Sequence, residues 1–291
     1  MSGPDTAAVA RLLARYEVRP SKRLGQNFLV DPSVCPRMAV ACGADRDTAV
    51  LEIGPGAGAL TLELAKTAGK VLAVEVDPRL ADLLDGLLPP GGAVEVVRAD
   101  ILATDVRALL KEKAGGMRAV VCANLPYSIT TPVIMKLLES RAPVESMTLM
   151  VQKDAAARLC ARVGERLSGA VTVAVDYYAS ARRLFDVPAA AFYPAPKVDS
   201  TVIRLDIREK PPVEVGDEAG FFRFVAAAFA QRRKTAVNAL SAGLGLPKDA
   251  VAAAVAGAGF EPMVRAEALD MQGLARLYAE VEKRRQQGPP A

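Results

Sequence analysis

Histidine is absent from all 291 residues. A histidine-containing zinc site, a Ser-His-Asp triad and a Cys-His dyad are therefore excluded, and whatever chemistry occurs runs without imidazole. Cysteine is scarce. Cys35, Cys42, Cys122 and Cys160 contain no Cys-x-x-Cys pair, and dispersed thiols of this kind in a reducing compartment read as small buried apolar residues. No apolar run reaches the roughly 18–20 residues that span a bilayer. The first 15 residues hold two arginines but no compact apolar block with a small-residue cleavage site. A secretory signal is not expected, and the chain should stay in the cytosol.

Charge of one sign is also modest. The net charge is +4, and most of it falls in residues 1–40, with six Lys/Arg against three Asp/Glu. Residues 41–210 hold 21 of each sign, and residues 211–291 hold ten against nine. The excess lies beside Lys22 and Arg23, just ahead of the loop-like stretch Gly25-Gln26-Asn27-Phe28. Such a local bias suits contact with an anionic partner, although a solvated basic tail gives the same pattern. Hydrophobic residues make up 51% and charged residues 24%, a balance that supports a substantial globular core. The length accommodates one large domain with a small one, or two modest ones.

Residues 6–16 read as a helix and 20–32 as a Pro- and Gly-bounded loop. An alternation then begins. Strands are expected at 50–53, 71–76, 94–97, 119–122 and 147–151, with helices over 59–68, from Pro78, and over 132–138. Strands alternating with helices of about ten residues indicate βαβ units around a parallel sheet covered on both faces. Apolar residues at helical spacing predict a helix over 167–178. Residues 184–187 and 198–205 read as late strands forming an antiparallel edge pair. Near Lys210-Pro211-Pro212 the pattern changes, and from Phe221 onward the chain is alanine-rich and helical.

The first strand ends in Gly54-Pro55-Gly56-Ala57-Gly58. A glycine-rich turn between a strand and its helix brings backbone close to a ligand. By itself it fits an adenosylmethionine enzyme, a nicotinamide enzyme or a tight structural turn. Glu75 follows Gly54 by 21 residues at the next strand end, where its carboxylate can accept hydrogen bonds from two ribose hydroxyls. Asp100 stands just past the third strand, within reach of an adenine amine. Each acid alone would more often be a loop residue or a cap. Three such features at the carboxyl ends of successive strands, where these sheets bind ligands, form a pattern.

The fourth strand runs into Asn124-Leu125-Pro126-Tyr127. Adenine's exocyclic nitrogen is a poor nucleophile because its lone pair is delocalised into the ring. Acceptors aimed at its two hydrogens favour the tetrahedral geometry it needs to take a methyl group. The Asn124 side-chain oxygen and the Leu125 carbonyl can supply them, Pro126 stiffens the turn, and Tyr127 offers a face for base stacking. No strong base is required, in keeping with the missing histidine, and rate would come mainly from positioning. In an isolated match the same residues would be a strand-end turn with a packed tyrosine.

With these residues in place, the sequence resembles the KsgA family of ribosomal RNA adenine dimethyltransferases. The resemblance runs through almost the whole chain, in Leu24-Gly25-Gln26-Asn27-Phe28-Leu29, Leu51–Gly58, Glu75-Val76-Asp77, Asp100-Ile101 and Asn124–Tyr127. It continues in Gln152-Lys153, in the nine residues from Phe192 to Ser200, and in the seven from Phe229 to Thr235. It implies a Rossmann-like class I methyltransferase sheet with helices on both faces and a small all-helical C-terminal domain. Residues 1–210 would form the adenosylmethionine-binding catalytic domain, with 1–40 as N-terminal helix and substrate/cofactor loop. Residues 211–291 would contact rRNA.

The resemblance further implies that Asn27, Leu29, Gly54, Glu75, Asp100 and Asn124 line the adenosylmethionine pocket, with Gly56 in the same turn, and that Tyr127 and Phe192 sandwich the target adenine. Asn27 stands where many family members carry histidine, and asparagine is also familiar there. The implied substrate is two adjacent adenosines in the 3′-terminal hairpin of small-subunit rRNA, each methylated twice within an assembling subunit. Arg232, Arg233 and Lys234 are expected on a helix and, with Lys22 and Arg23, are candidate rRNA contacts; a solvated charged face is the alternative. No metal is expected, and nothing in the sequence points to an obligate oligomer, so a monomer is expected.

Three rivals remain at this level. A sister group methylates one adenosine of large-subunit rRNA with the same chemistry; Leu125 and Lys197-Val198-Asp199-Ser200 lean towards the small-subunit enzyme. A non-catalytic assembly or transcription factor on the same fold would bind the ribosomal particle without turnover. A nicotinamide dehydrogenase accounts for the glycine turn and leaves Asn124–Tyr127 and Phe192 unexplained.

Overall fold

Residues 6–21, 24–89 and 91–287 are described in the computed structural model of the chain. It opens with helix α1 (Thr6–Arg15), the two-residue strand β1 (Phe28–Leu29) and α2 (Val34–Cys42). The expected alternation follows as β2 (Thr48–Ile53), α3 (Ala59–Leu64), β3 (Lys70–Glu75), α4 (Pro78–Leu87), β4 (Val94–Arg98) and α5 (Val106–Lys113). It continues as β5 (Arg118–Asn124), α6 (Thr130–Glu139), β6 (Ser146–Gln152), α7 (Lys153–Leu159) and α8 (Ala170–Tyr178). Strands β7 (Ala179–Val187), β8 (Phe192–Tyr193) and β9 (Ser200–Ile207) precede four helices, α9 (Glu218–Phe229), α10 (Ala236–Leu244), α11 (Lys248–Gly257) and α12 (Met271–Gln287).

The main sheet has seven strands in the order β4-β3-β2-β5-β6-β9-β7. Strands β2 to β6 run parallel, and β9 joins β6 antiparallel, with Gln152 opposite Ser200. Every residue of β2 is buried, as a central strand covered on both faces requires. One face packs Val50, Val71, Val120, Cys122 and Met150 against Val34, Met38 and Cys42 of α2 and Leu60 and Leu64 of α3. Among the described residues no helix is long and apolar enough to cross a membrane.

Several local expectations need correction. The loop expected over 20–32 contains β1, which pairs antiparallel with β8 through Phe28–Tyr193 and Leu29–Phe192. Two residues are too few for a periodic signal, and the partner lies far along the chain. The helix expected over 59–68 stops at Leu64, and Ala65–Thr67 turn the chain back towards β3. The two late strands are neighbours, but β9 also pairs antiparallel with β6, which places it inside the sheet and leaves β7 outermost. Arg182 and Arg183 lie on β7, and charged side chains are common on edge strands, where they discourage pairing with other chains.

The chain divides into two compact units, one running to Ala156 and including Ala181–Ile207, the other comprising Ala157–Ser180 and the chain from Arg208 onward. The second unit thus recruits a segment that precedes the change of pattern near residue 210. Its reason is aromatic packing: Tyr177 of α8 meets Phe221 and Phe222 of α9, and Tyr178 stacks on Phe222, with ring centroids 5.2–5.9 Å apart. Asp217 caps α9 by accepting from the Gly220 N–H at 2.9 Å.

Candidate active site

Four strand ends converge on one cleft. At the end of β2 the Gly54 N–H donates to Val74 O at 2.9 Å, holding the turn against β3. Gly54, Gly56 and Gly58 have φ of +67°, +57° and +83°, values that favour glycine. At Gly58 a Cβ would also lie 2.8 Å from Leu84 Cδ1, so a side chain there would be strained in its backbone and would have to push the leucine tip aside.

Glu75, at the end of β3, is 5% exposed. Its Oε2 accepts from the Gly56 N–H at 3.3 Å and its Oε1 from the Asp77 N–H at 2.9 Å. Burial raises its pKa, and those backbone donors pull it back. Asp77 caps α4 and also accepts from Gln26 Nε2 at 3.2 Å, which ties the N-terminal loop to the β3–α4 junction. The Arg79 side chain holds the Asp77 carboxyl below its ordinary pKa. Beyond β4, Asp100 is exposed, and one carboxylate oxygen accepts from the Leu102 N–H at 2.8 Å.

At the end of β5 the Leu125 N–H donates to Met150 O at 3.2 Å. Pro126 O accepts from the Ile129 N–H at 3.1 Å and from Thr130 Oγ1 at 3.2 Å, so the Asn124–Tyr127 turn is held at both ends. Tyr127 is partly buried, its hydroxyl lies 2.8 Å from Ser200 Oγ, and burial raises the phenol's pKa. Asn27 Nδ2 donates to Gly25 O at 3.2 Å.

Asn27, Leu29, Gly54, Gly56, Glu75, Asp100, Asn124, Leu125, Pro126, Tyr127 and Phe192 all line this cleft. Phe192 is only 3% exposed and shares the core of Val34, Met38 and Val187, so little of its ring is open to a base here. The basic residues are placed differently. Lys22 and Arg23 lie outside the described residues. Arg232, Arg233 and Lys234, expected on a helix, occupy the turn between α9 and α10. The helix is interrupted because Thr235 starts α10 as its cap, accepting from the Asn238 N–H. Arg232 donates to Arg166 O at 2.7 Å and to Glu267 at 3.2 Å, whereas Arg233 and Lys234 are exposed and make no ion pair among the described residues. Among those residues no group of three or more Cys, Asp or Glu is arranged to hold a metal ion.

Sequence reasoning missed Glu52. It sits in β2 at 1% exposure and lines the cleft, and its Oε2 has no hydrogen-bond partner among the described residues. Burial pushes its carboxyl up to about 8; nearby Thr61 offsets part of that and Glu75 adds to it. The available signal was a charged residue inside an otherwise apolar strand. In the unfolded chain this carboxyl ionises near pH 4.3. Between roughly pH 4.3 and 8 the folded chain therefore binds a proton that the unfolded chain has released, and stability falls as pH rises through that window. Glu52→Gln removes this contribution. Its Tm is expected to fall less than the wild type's between pH 5 and 8, and an equal fall in thermal melts would contradict the assignment.

A mostly parallel seven-stranded sheet with this cleft at the carboxyl ends of β2 to β5 has the architecture of a Rossmann-like class I methyltransferase. The sequence model of the ribosomal RNA adenine dimethylase family matches residues 18–263, and the chain belongs to that family. It is 45% identical over 280 residues to the ribosomal RNA small subunit methyltransferase A of Shouchella clausii (strain KSM-K16), covering 94% of each chain. It is 41% identical over 274 residues to the protein of that name from Alkaliphilus oremlandii (strain OhILAs), covering 94% of this chain and 96% of the relative. Among solved structures, a dimethyladenosine transferase from Plasmodium falciparum aligns with a TM-score of 0.70 and 25% identity, over 88% of this chain and 98% of that one. The 23S rRNA methyltransferase ErmE aligns with a TM-score of 0.64 and 28% identity, over 88% of this chain and 100% of that one.

Proposed function

We propose that the chain uses S-adenosylmethionine to dimethylate the N6 amines of two adjacent adenosines in the 3′-terminal hairpin of small-subunit rRNA, during assembly of the subunit. The observation that carries this reading is Asn124. Its side-chain amide has no hydrogen-bond partner among the described residues and stands in the same cleft as Glu75. The two relatives named for the small subunit support that substrate over the large-subunit alternative.

The residues fit the cofactor. Glu75 is fixed by two backbone donors, and its carboxylate has acceptor capacity left for the two ribose hydroxyls. Asp100 offers an exposed carboxylate to an adenine amine, and Val76, Ile101 and Leu102 supply apolar contact beside it. The bound cofactor supplies an electrophilic methyl group. Asn124 and the Leu125 carbonyl hold the amine's hydrogens and orient its lone pair, while Tyr127 carries the base on its ring face. The proton lost from the amine passes to water, so no imidazole is needed.

Primer extension on unmethylated small subunits treated with the chain and cofactor tests the position. Stops at two neighbouring adenosines of the 3′-terminal hairpin are expected, and stops elsewhere contradict the reading. Binding to subunits should also weaken steeply with salt. Replacing Arg233 and Lys234 by alanine should lower the slope of log K against log salt by about one for each phosphate that is no longer neutralised. A flat dependence would remove Lys22, Arg23 and the Arg232–Lys234 run as phosphate-binding residues.

A further inference from the structure

Tyr127 and Ser200 are 73 residues apart, yet the tyrosine hydroxyl lies 2.8 Å from Ser200 Oγ. The two partners are held very differently. Ser200 is fully buried at the start of β9 and registers opposite Gln152 on β6. On its N-terminal side, Asp199 O accepts from the Lys153 N–H at 3.0 Å, and the Asp199 carboxylate accepts from the Ala189 N–H at 2.9 Å. The serine is thus a fixed post. Tyr127 stands in the turn after Pro126, partly exposed at the cleft. Its backbone is set by that turn, but its ring can still rotate about two side-chain torsions. The hydroxyl contact anchors the far end.

We propose that Ser200 is a positioning residue for methyl transfer, its hydrogen bond holding the Tyr127 ring where its face receives the target adenine. This rests on the reading of Tyr127 as the stacking platform. Transfer needs the amine in line with the reacting methyl group, and small misplacements of a reacting group are costly in rate. Because the hydroxyl is engaged by Ser200, the ring face rather than the hydroxyl meets the base. Phenylalanine at 127 therefore keeps the platform and loses only its anchor.

The test is a double-mutant cycle on Ser200→Ala, Tyr127→Phe and the pair, with Tyr127→Ala as reference. Single-turnover methyl transfer to unmethylated small subunits, cofactor Kd and Tm are measured for each. Each single variant is expected to slow transfer about five- to tenfold, the scale of one missing hydrogen bond, with cofactor Kd unchanged. The double variant should be no slower than the slower single variant, because both changes delete the same bond. Losses that multiply would overturn the proposal. So would Ser200→Ala with a lowered Tm but wild-type transfer well below that Tm, which would mark a purely structural serine. If Tyr127→Ala abolishes transfer while Ser200→Ala is unaffected, the positioning role fails and the proposed function stands. If the wild type transfers nothing, the functional reading fails and the positioning role with it.

Discussion

Replacing Asn124 by alanine is expected to slow methyl transfer by about 10²-fold or more while leaving adenosylmethionine affinity almost unchanged. The substitution removes an acceptor for the amine and breaks no side-chain hydrogen bond among the described residues. The Leu125 N–H remains on Met150 O, and Pro126 O keeps its two donors, so the turn and Tm should survive. Single-turnover transfer and calorimetric cofactor binding on the same preparation separate the effects. Equal losses in rate and affinity would move Asn124 from orienting the substrate to building the cofactor pocket.

Glu75→Ala should do the reverse. Two hydrogen bonds from ribose hydroxyls to a buried carboxylate are worth a few kcal/mol together, so cofactor Kd is expected to rise about 10²-fold. Transfer at saturating cofactor should fall far less. Part of the loss comes from the protein itself, because the Gly56 and Asp77 N–H groups lose their acceptor. Glu75→Gln separates these contributions: it keeps an acceptor for the backbone but introduces a donor, and an intermediate Kd is expected. A collapse of the transfer rate at unchanged Kd would contradict the assignment of Glu75 to ribose.

The parts of this protein legible in the sequence are those written in contiguous residues. Strands β2 to β6 carry short apolar runs, and the glycine turn and Asn124–Tyr127 sit at their ends, so their place in one cleft followed from the parallel order. What escaped was set by contacts across the chain. The Leu29–Phe192 pairing joins segments 163 residues apart, and no local period announces a strand of two residues. Gln26 gave no sign of reaching Asp77, nor Tyr127 of reaching Ser200. The Arg232–Lys234 run was misplaced for a local reason, because alanine-rich sequence on both sides hid the capping role of Thr235. Glu52 was visible as a charge in an apolar strand, but its buried oxygen, unpaired among the described residues, emerges only from the packing around β2.

The most direct test of the account is transfer of labelled methyl from adenosylmethionine to purified, unmethylated ribosomal subunits, followed by nucleoside analysis of each RNA. Dimethyladenosine confined to small-subunit RNA is the predicted result. Label in large-subunit RNA, or binding to the small subunit with no label transferred, would contradict it.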